Sequence, residues 1–196
     1  MNACTDVPDR LIDGSRPKRS DALLDELASL GINAPTTEHA PMFTVEDSKT
    51  LRVTPGGQGD IKNLFLRNQK GRMWLVSCHE DRNVDLKVLA KALGAGRFSF
   101  ASETRLMQYL GVTPGAVSPL ALVNDKTGAV QFMVDRALTQ TEVIYLHPLI
   151  NTRTTTMATS DLLAYCAAIA HQAKIITFEE GSVHCKLTEH DETDHA

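Results

Sequence analysis

The stretch from Asp60 to Cys78, "DIKNLFLRNQKGRMWLVSC", decides the fold. Two runs rich in apolar, β-branched and aromatic residues flank Asn68-Gln69-Lys70-Gly71. Strand formers on both sides of a polar, glycine-bearing turn predict a β-hairpin. Lys62 and Asn63 stand at the head of its first strand, an ammonium and an amide at the edge of an apolar run. A strand-start lysine is usually solvated, its stem lying along apolar surface. An asparagine there can satisfy its own backbone.

Working upstream, "TPGGQGD" is a flexible turn, and "TVEDSKTL" (44–51) opens with a capping-box-like Thr-x-x-Asp. "SDALLDELASLGI" (20–32) reads as a helix with Ser20 as cap, Gly31 as stop and Leu23, Leu24, Leu27 and Leu30 as its apolar stripe. Residues 1–19 are a polar arm. Downstream, "NVDLKVLAKALGAG" predicts a helix capped by Asn83 and stopped at Gly94, "RFSFAS" a short strand, and Ser102–Gly111 another helix. "LALVNDKTGAVQFMVD" reads as a second hairpin, and "TEVIYLHP" as a strand. A helix at 161–172, a last strand "KIITF" and a loose acidic tail after Phe178 complete the chain.

Interleaved helices and strands with tight hairpins predict an α/β (mixed α+β) domain with a mixed sheet and peripheral helices, not a doubly wound parallel sheet. The divisions expected are a polar arm over 1–19, one domain over 20–178 and an acidic tail over 179–196. With 196 residues, 42% of them hydrophobic and 22% charged, the chain can bury a core of good size. A net charge of −4 weighs against bulk electrostatic coating of nucleic acid, though it leaves room for a local basic patch. No apolar leader or membrane-length run is present, so a cytoplasmic protein with no membrane contact is expected. None of the four cysteines forms a CxxC pair; Cys78 and Cys166 read as reduced core thiols. There is no GxGxxG after a strand, no P-loop, no GxSxG elbow and no zinc-like spacing, so neither a cofactor nor a metal is expected.

Three polar interruptions adjoin apolar strands: Lys62-Asn63, the loop "GVTPGAVSP" (111–119), and "HPLINTRTTT" from His147 onward. Each has a plain reading. Gly115 and Pro119 can merely shape a loop, and a histidine before a proline is more often a satisfied strand-end residue than a catalytic one.

In their order along the chain, "ELASLGINAPTTEHAPMFTVEDS", "KNLFLRNQKGRMWLVSC", "VDLKVLAKALGAGRFSFAS", "LMQYLGVTPGAVSPLALVND" and "HPLINTRTT" resemble the free-standing prolyl-tRNA editing proteins of the YbaK/prolyl-tRNA-synthetase-associated domain family. The resemblance runs from about Asp21 to Phe178. It implies a single α/β domain with a mixed, partly barrel-like sheet. It also implies hydrolysis of the ester joining a wrong amino acid to tRNA(Pro). Within the family, "KNLFL", Gly115-x-x-x-Pro119 and His147-Pro-x-x-Asn151 look like the alanine-specific branch; the cysteine-clearing branch and a non-catalytic binding module of the same fold are the alternatives.

On that resemblance Lys62, Asn63 and His147 are the expected catalytic residues, with Gly115, Ser118, Pro119 and Asn151 binding substrate. Lys62 can serve the ester carbonyl or the terminal phosphate, and Asn63 the substrate or the water. His147 can hold the substrate or shuttle a proton. The implied partner is mischarged tRNA(Pro), engaged through its 3′ aminoacyl end and acceptor stem; docking on prolyl-tRNA synthetase stays open. Lys49, Arg52, Arg67 and Lys70 are candidate RNA contacts near the first motif.

Overall fold

The computed structural model describes residues 8–41, 59–179 and 182–186. The hairpin forms as the sequence predicts: β2 (Ile61–Asn68) pairs antiparallel with β3 (Met73–His79), with Asn63 opposite Ser77 and Lys62 opposite Cys78. It is the heart of a six-stranded mixed sheet in the order β4-β2-β3-β5-β8-β9, where β4 is Phe98–Phe100, β5 Val130–Asp135, β8 Lys174–Glu179 and β9 Ser182–Lys186. A second, three-stranded antiparallel sheet joins β1 (Thr36–Glu38), β7 (Arg153–Ala158) and β6 (Val143–Leu146). Neither sheet closes into a barrel.

The large sheet is covered on both faces. Phe65, Met73 and Leu75 face one core with Leu23 and Leu27 of α1 (Ser20–Ser29), Leu120 and Leu122, and Leu162 and Tyr165 of the helix at 159–168. Leu66, Trp74 and Val76 face the other, with Leu89 of α2 (Leu86–Ala92), Phe98, Met133 and Ile176. Trp74 meets Phe98 edge-on, ring centroids 4.9 Å apart. This is strand alternation at work: successive β2 side chains enter different cores.

Several local expectations change. Residues 120–135 do not form a hairpin. Pro119–Asn124 is a 3-10 helix, and β5 then runs parallel to both β3 and β8. A run as apolar as Val130–Val134 suits a strand buried between two parallel neighbours, which alternation alone does not distinguish from a hairpin arm. Asp85, not Asn83, caps α2 by accepting from Lys87 N and Val88 N.

Ser20 is the first residue of α1 rather than its side-chain cap. The helix from Ser102 is only α3 (Glu103–Arg105), continued by a π-turn at Leu106–Leu110. After α4 (Arg136–Thr139), α5 covers Thr159–Ala168, starting two residues earlier than expected. Beyond Phe178 the chain is not loose throughout: β9 pairs with β8, and Phe178 and Val183 pack on the second core. The expected short helix at 44–51 lies outside the described residues.

Candidate active site

The first core is edged by the loop 111–119, which enters the site through two glycines. Gly111 takes φ 63° at the end of the π-turn, and a Cβ there would lie 2.6 Å from both Asn124 Nδ2 and Pro17 Cβ. Gly115 takes φ 87°, a left-handed conformation that glycine adopts without steric cost. The loop then delivers Val117 and Ser118 to β2 and β6, and Pro119 starts the 3-10 helix that ends it.

Two side-chain bridges bind this loop to its neighbours. Asn63 Nδ2 donates to Val117 O at 3.0 Å, while Asn63 Oδ1 accepts from Ser77 Oγ at 2.6 Å. The amide is therefore fixed at both ends, one by the cross-strand partner and one by the loop. Fully buried Ser118 donates to His147 O at 2.7 Å. His147 O also accepts from Leu149 N at 2.9 Å, closing a three-residue turn across Pro148. Leu149 sits at φ 68°, a strained conformation for a branched side chain.

The His147 ring is oriented as tightly. Nδ1 lies 2.8 Å from Arg153 O. A carbonyl only accepts, so Nδ1 carries the proton and the neutral ring keeps its lone pair on Nε2. Burial pushes the His147 pKa below the ordinary histidine value; the Arg153 carbonyl opposes the shift and His39 adds to it. The ring at neutral pH is thus an uncharged base with one committed and one available nitrogen.

His39 is a residue the sequence reading passed over. Its ring centroid is 5.8 Å from that of His147. Its Nδ1 donates to Ala40 O at 2.7 Å, and its Nε2 lies 2.8 Å from Thr154 Oγ1. Nothing local in "TTEHAP" marks it; the pairing of β1 with β7, directly after the His147 turn, brings it there. Ser77, by contrast, was available from the hairpin register.

Asn63 and His147 are therefore joined through Val117 and Ser118 of one loop, which also carries Gly115 and Pro119, and half-buried Asn151 lies in the same β6–β7 turn as His147. Lys62 is not part of that set. Its Nζ donates to Arg82 O on the opposite face of β2. There it neighbours Cys78 and the ion pair between Arg82 Nε and Asp135 Oδ2, 2.9 Å apart. Cys78 is no nucleophile: burial pushes its thiol up to about 12, Asp135 adding to the rise and Lys62 and Arg82 opposing it. Of the candidate RNA contacts, Lys49 and Arg52 lie outside the described residues. Arg67 is four residues beyond Asn63, about 13 Å along the strand, and Lys70 lies in the turn past it.

A family profile for the aminoacyl-tRNA editing domain matches residues 39–165, which begin just after β1 and span the hairpin, the 111–119 loop, the His147 turn and most of α5. The chain belongs to the aminoacyl-tRNA editing domain family. Its activity is hydrolysis of an aminoacyl-tRNA ester.

It is 38% identical over 142 residues to the prolyl-tRNA editing protein ProX of Acetoanaerobium sticklandii, covering 72% of this chain and 86% of that one. It is 37% identical over 162 residues to the prolyl-tRNA synthetase associated domain-containing protein 1 of Xenopus laevis, covering 80% and 95%. In fold it is similar to the crystal structure of a candidate trans-editing enzyme for prolyl tRNA synthetase. That match has a TM-score of 0.60 and 17% identity, covering 80% of this chain and 95% of that one. Among the described residues no helix is long and apolar enough to cross a membrane.

Proposed function

We propose that this editing domain clears Ala-tRNA(Pro), acting in trans in the cytoplasm on tRNA mischarged by prolyl-tRNA synthetase. The observation that carries the reading is the Asn63–Val117–Ser118–His147 chain of contacts. It holds an amide, a glycine loop and a neutral imidazole around one place.

Hydrolysis needs a water delivered to the ester carbonyl, a donor for the oxygen on which charge develops, and a proton for the departing ribose oxygen. Water adds to the carbonyl carbon, the carbon–oxygen bond to the ribose breaks, and the sugar hydroxyl leaves with the proton. Nε2 of His147 accepts a proton from the water or the neighbouring ribose hydroxyl and returns it to the leaving oxygen. Asn63 and the main chain at Gly115–Ser118 set the acyl group's position, and Pro119 and Asn151 keep the loop and turn in shape. Lys62 provides positive charge to the ester carbonyl or the terminal phosphate. In the free protein its ammonium is engaged by Arg82 O, so this role requires that bond to be exchanged on binding.

Alanine differs from proline by too little apolar surface for a synthetic site to reject it well, since one methylene is worth roughly 1–3 kcal/mol. A second, smaller site that admits alanine and excludes proline removes the error. The test is a deacylation panel with Ala-, Cys-, Ser- and Pro-charged tRNA(Pro). Preferential loss of alanine supports the reading; preferential loss of cysteine transfers the chain to the other branch; no loss of any at enzyme excess makes it a binding module. Shortening pocket-lining side chains should then let Pro-tRNA be cleaved, and continued rejection of proline would remove size exclusion from the account.

A further inference from the structure

A cavity of about 640 Å³ lies between the N-terminal arm, the start of α1 and the His147 turn, a size ordinary for a ligand site. Four cations line it: Arg16, Lys18, Arg19 and Arg153. Two of the four are already neutralised. Lys18 pairs with Glu26, and Arg153 holds Asp21 and, at 2.9 Å, Glu38. The side chains of Arg16 and Arg19 make no hydrogen bond or ion pair with any described residue; the Arg19 carbonyl accepts from Leu23 N, and the Arg19 charge acts on Asp21 only at longer range. The one other carboxylate in the wall, Asp9, is 93% exposed and lies 4.0 Å from Arg10.

At the cavity's edge Ser20 opens the ten-residue helix α1. Ser20 is 6% exposed, and its buried Oγ has no hydrogen-bond partner. The N–H groups of a first helical turn favour an anion. Leu149 and Ile150 give the wall an apolar patch on which a sugar or base can rest.

Between Leu11 and Lys18 the arm is built into the fold rather than hanging from it. Lys18 N donates to Asn124 Oδ1 at 2.8 Å, Ile12 N to Gln108 O at 2.7 Å, and Leu11 is 4% exposed. Pro17 packs against Gly111 so closely that any side chain at 111 would displace it. The cavity also shares its wall with the candidate active site. Arg153 presents its side chain to the cavity and its carbonyl to His147 Nδ1, and Leu149 N donates to His147 O.

We propose that this cavity binds the phosphodiester backbone of the substrate RNA's single-stranded 3′ end, with Arg16 and Arg19 contacting phosphates and the Arg153 turn leading the terminal sugar to His147. The proposal rests on the RNA-ester reading given above. It gives a chain of net charge −4 a local cationic approach, and it assigns the N-terminal arm to substrate binding.

The test compares wild type with Arg16→Ala/Arg19→Ala in the full chain, reading two quantities separately. One is binding of uncharged tRNA(Pro) by fluorescence anisotropy over 50–200 mM salt. The other is turnover of charged tRNA and of a phosphate-free 3′-aminoacyl-adenosine. Loss of two single-strand phosphate contacts lowers the salt slope by about 1.4, so wild type should lose about sevenfold more affinity than the variant across that range. KM for charged tRNA should rise with kcat kept, hydrolysis of the small ester should not change, and Arg16→Lys/Arg19→Lys should recover most of the binding.

An unchanged salt slope overturns the proposal. So does an equal loss on the phosphate-free ester, which would make the arm merely structural. Failure of wild type to hydrolyse any ester sinks the functional reading instead, while the binding slope still decides the cavity.

Discussion

The two faces of β2 are built from neighbouring residues and organised in different ways. On the Asn63 face, neutral side chains bind the backbone of distant loops: Asn63 takes Val117 O, Ser118 takes His147 O, and His147 takes Arg153 O. On the Lys62 face, charges settle one another. Arg82 pairs with Asp135, whose side chain is only 2% exposed, and Lys62 takes Arg82 O. Asp135 also caps α4 through Ala137 N at 3.1 Å, and the Arg82 guanidinium lies 5.4 Å from the centre of the Phe178 ring. The first arrangement fixes loops while leaving a basic nitrogen available. The second ties the ends of β2, β3 and β5 together in the free protein. The difference teaches that an apparent two-residue motif, Lys62-Asn63, serves two separate structures.

Removal of His147 gives the largest expected effect on the first face. His147→Ala should lower kcat by about 10²–10⁴, the range for a positioned acid–base group. A single-turnover assay checks it, and a loss below threefold would demote the imidazole to a spacer. The pH profile sharpens the same point. Because the folded pKa is depressed, the active neutral ring persists below the ordinary histidine pKa, and the acid limb of kcat/KM should fall below about 6.5. The same group makes the fold less stable as pH falls. The unfolded chain takes its proton first, so stability drops through the interval from about 6.5 down to the depressed folded value and is level beneath it. A limb above 7 would contradict the assigned environment.

Lys62→Ala tests whether the two faces are truly separate. If Lys62 moves to the ester, kcat should fall by about 10²–10³ with the melting midpoint nearly kept, as for loss of an oxyanion donor. If the lysine belongs only to the Arg82 side, stability falls and the turnover of the folded fraction does not. Asn63→Ala should cost less in rate, about tenfold, together with about 1–3 kcal/mol of stability, because the buried Ser77 hydroxyl and Val117 carbonyl lose their partner. Urea unfolding and steady-state kinetics on one preparation separate the two. Asp135→Ala should have the smallest effect on rate, within about twofold, while costing about 3 kcal/mol by leaving Arg82 unpaired. A large loss of turnover in the folded fraction would show that the charged face also serves catalysis.

Much of this was legible from residues. The hairpin, the α1 stripe and the ordered motifs follow from short-range pattern, and the family followed from the motif order. Asn63, Gly115, Ser118 and His147 were each visible as polar interruptions beside apolar strands. His39 was not singled out, because a lone histidine among prolines carries no local sign of its neighbour across β1 and β7. The parallel placement of β5 was missed because a continuous apolar run has no direction.

The sequence by itself determined which segments pair locally, which positions are apolar and which family the chain resembles, since these depend on period, turn chemistry and motif order. It also contained the separation of Lys62 from Asn63, because adjacent strand residues point to opposite faces. Only the tertiary structure decided what lies on each face. Loop 111–119 meets Asn63 from 54 residues away and the His147 turn from 29, and the N-terminal arm closes a cationic cavity beside Arg153. Contacts at such separations arise from packing two cores against one sheet, and no local spacing encodes them.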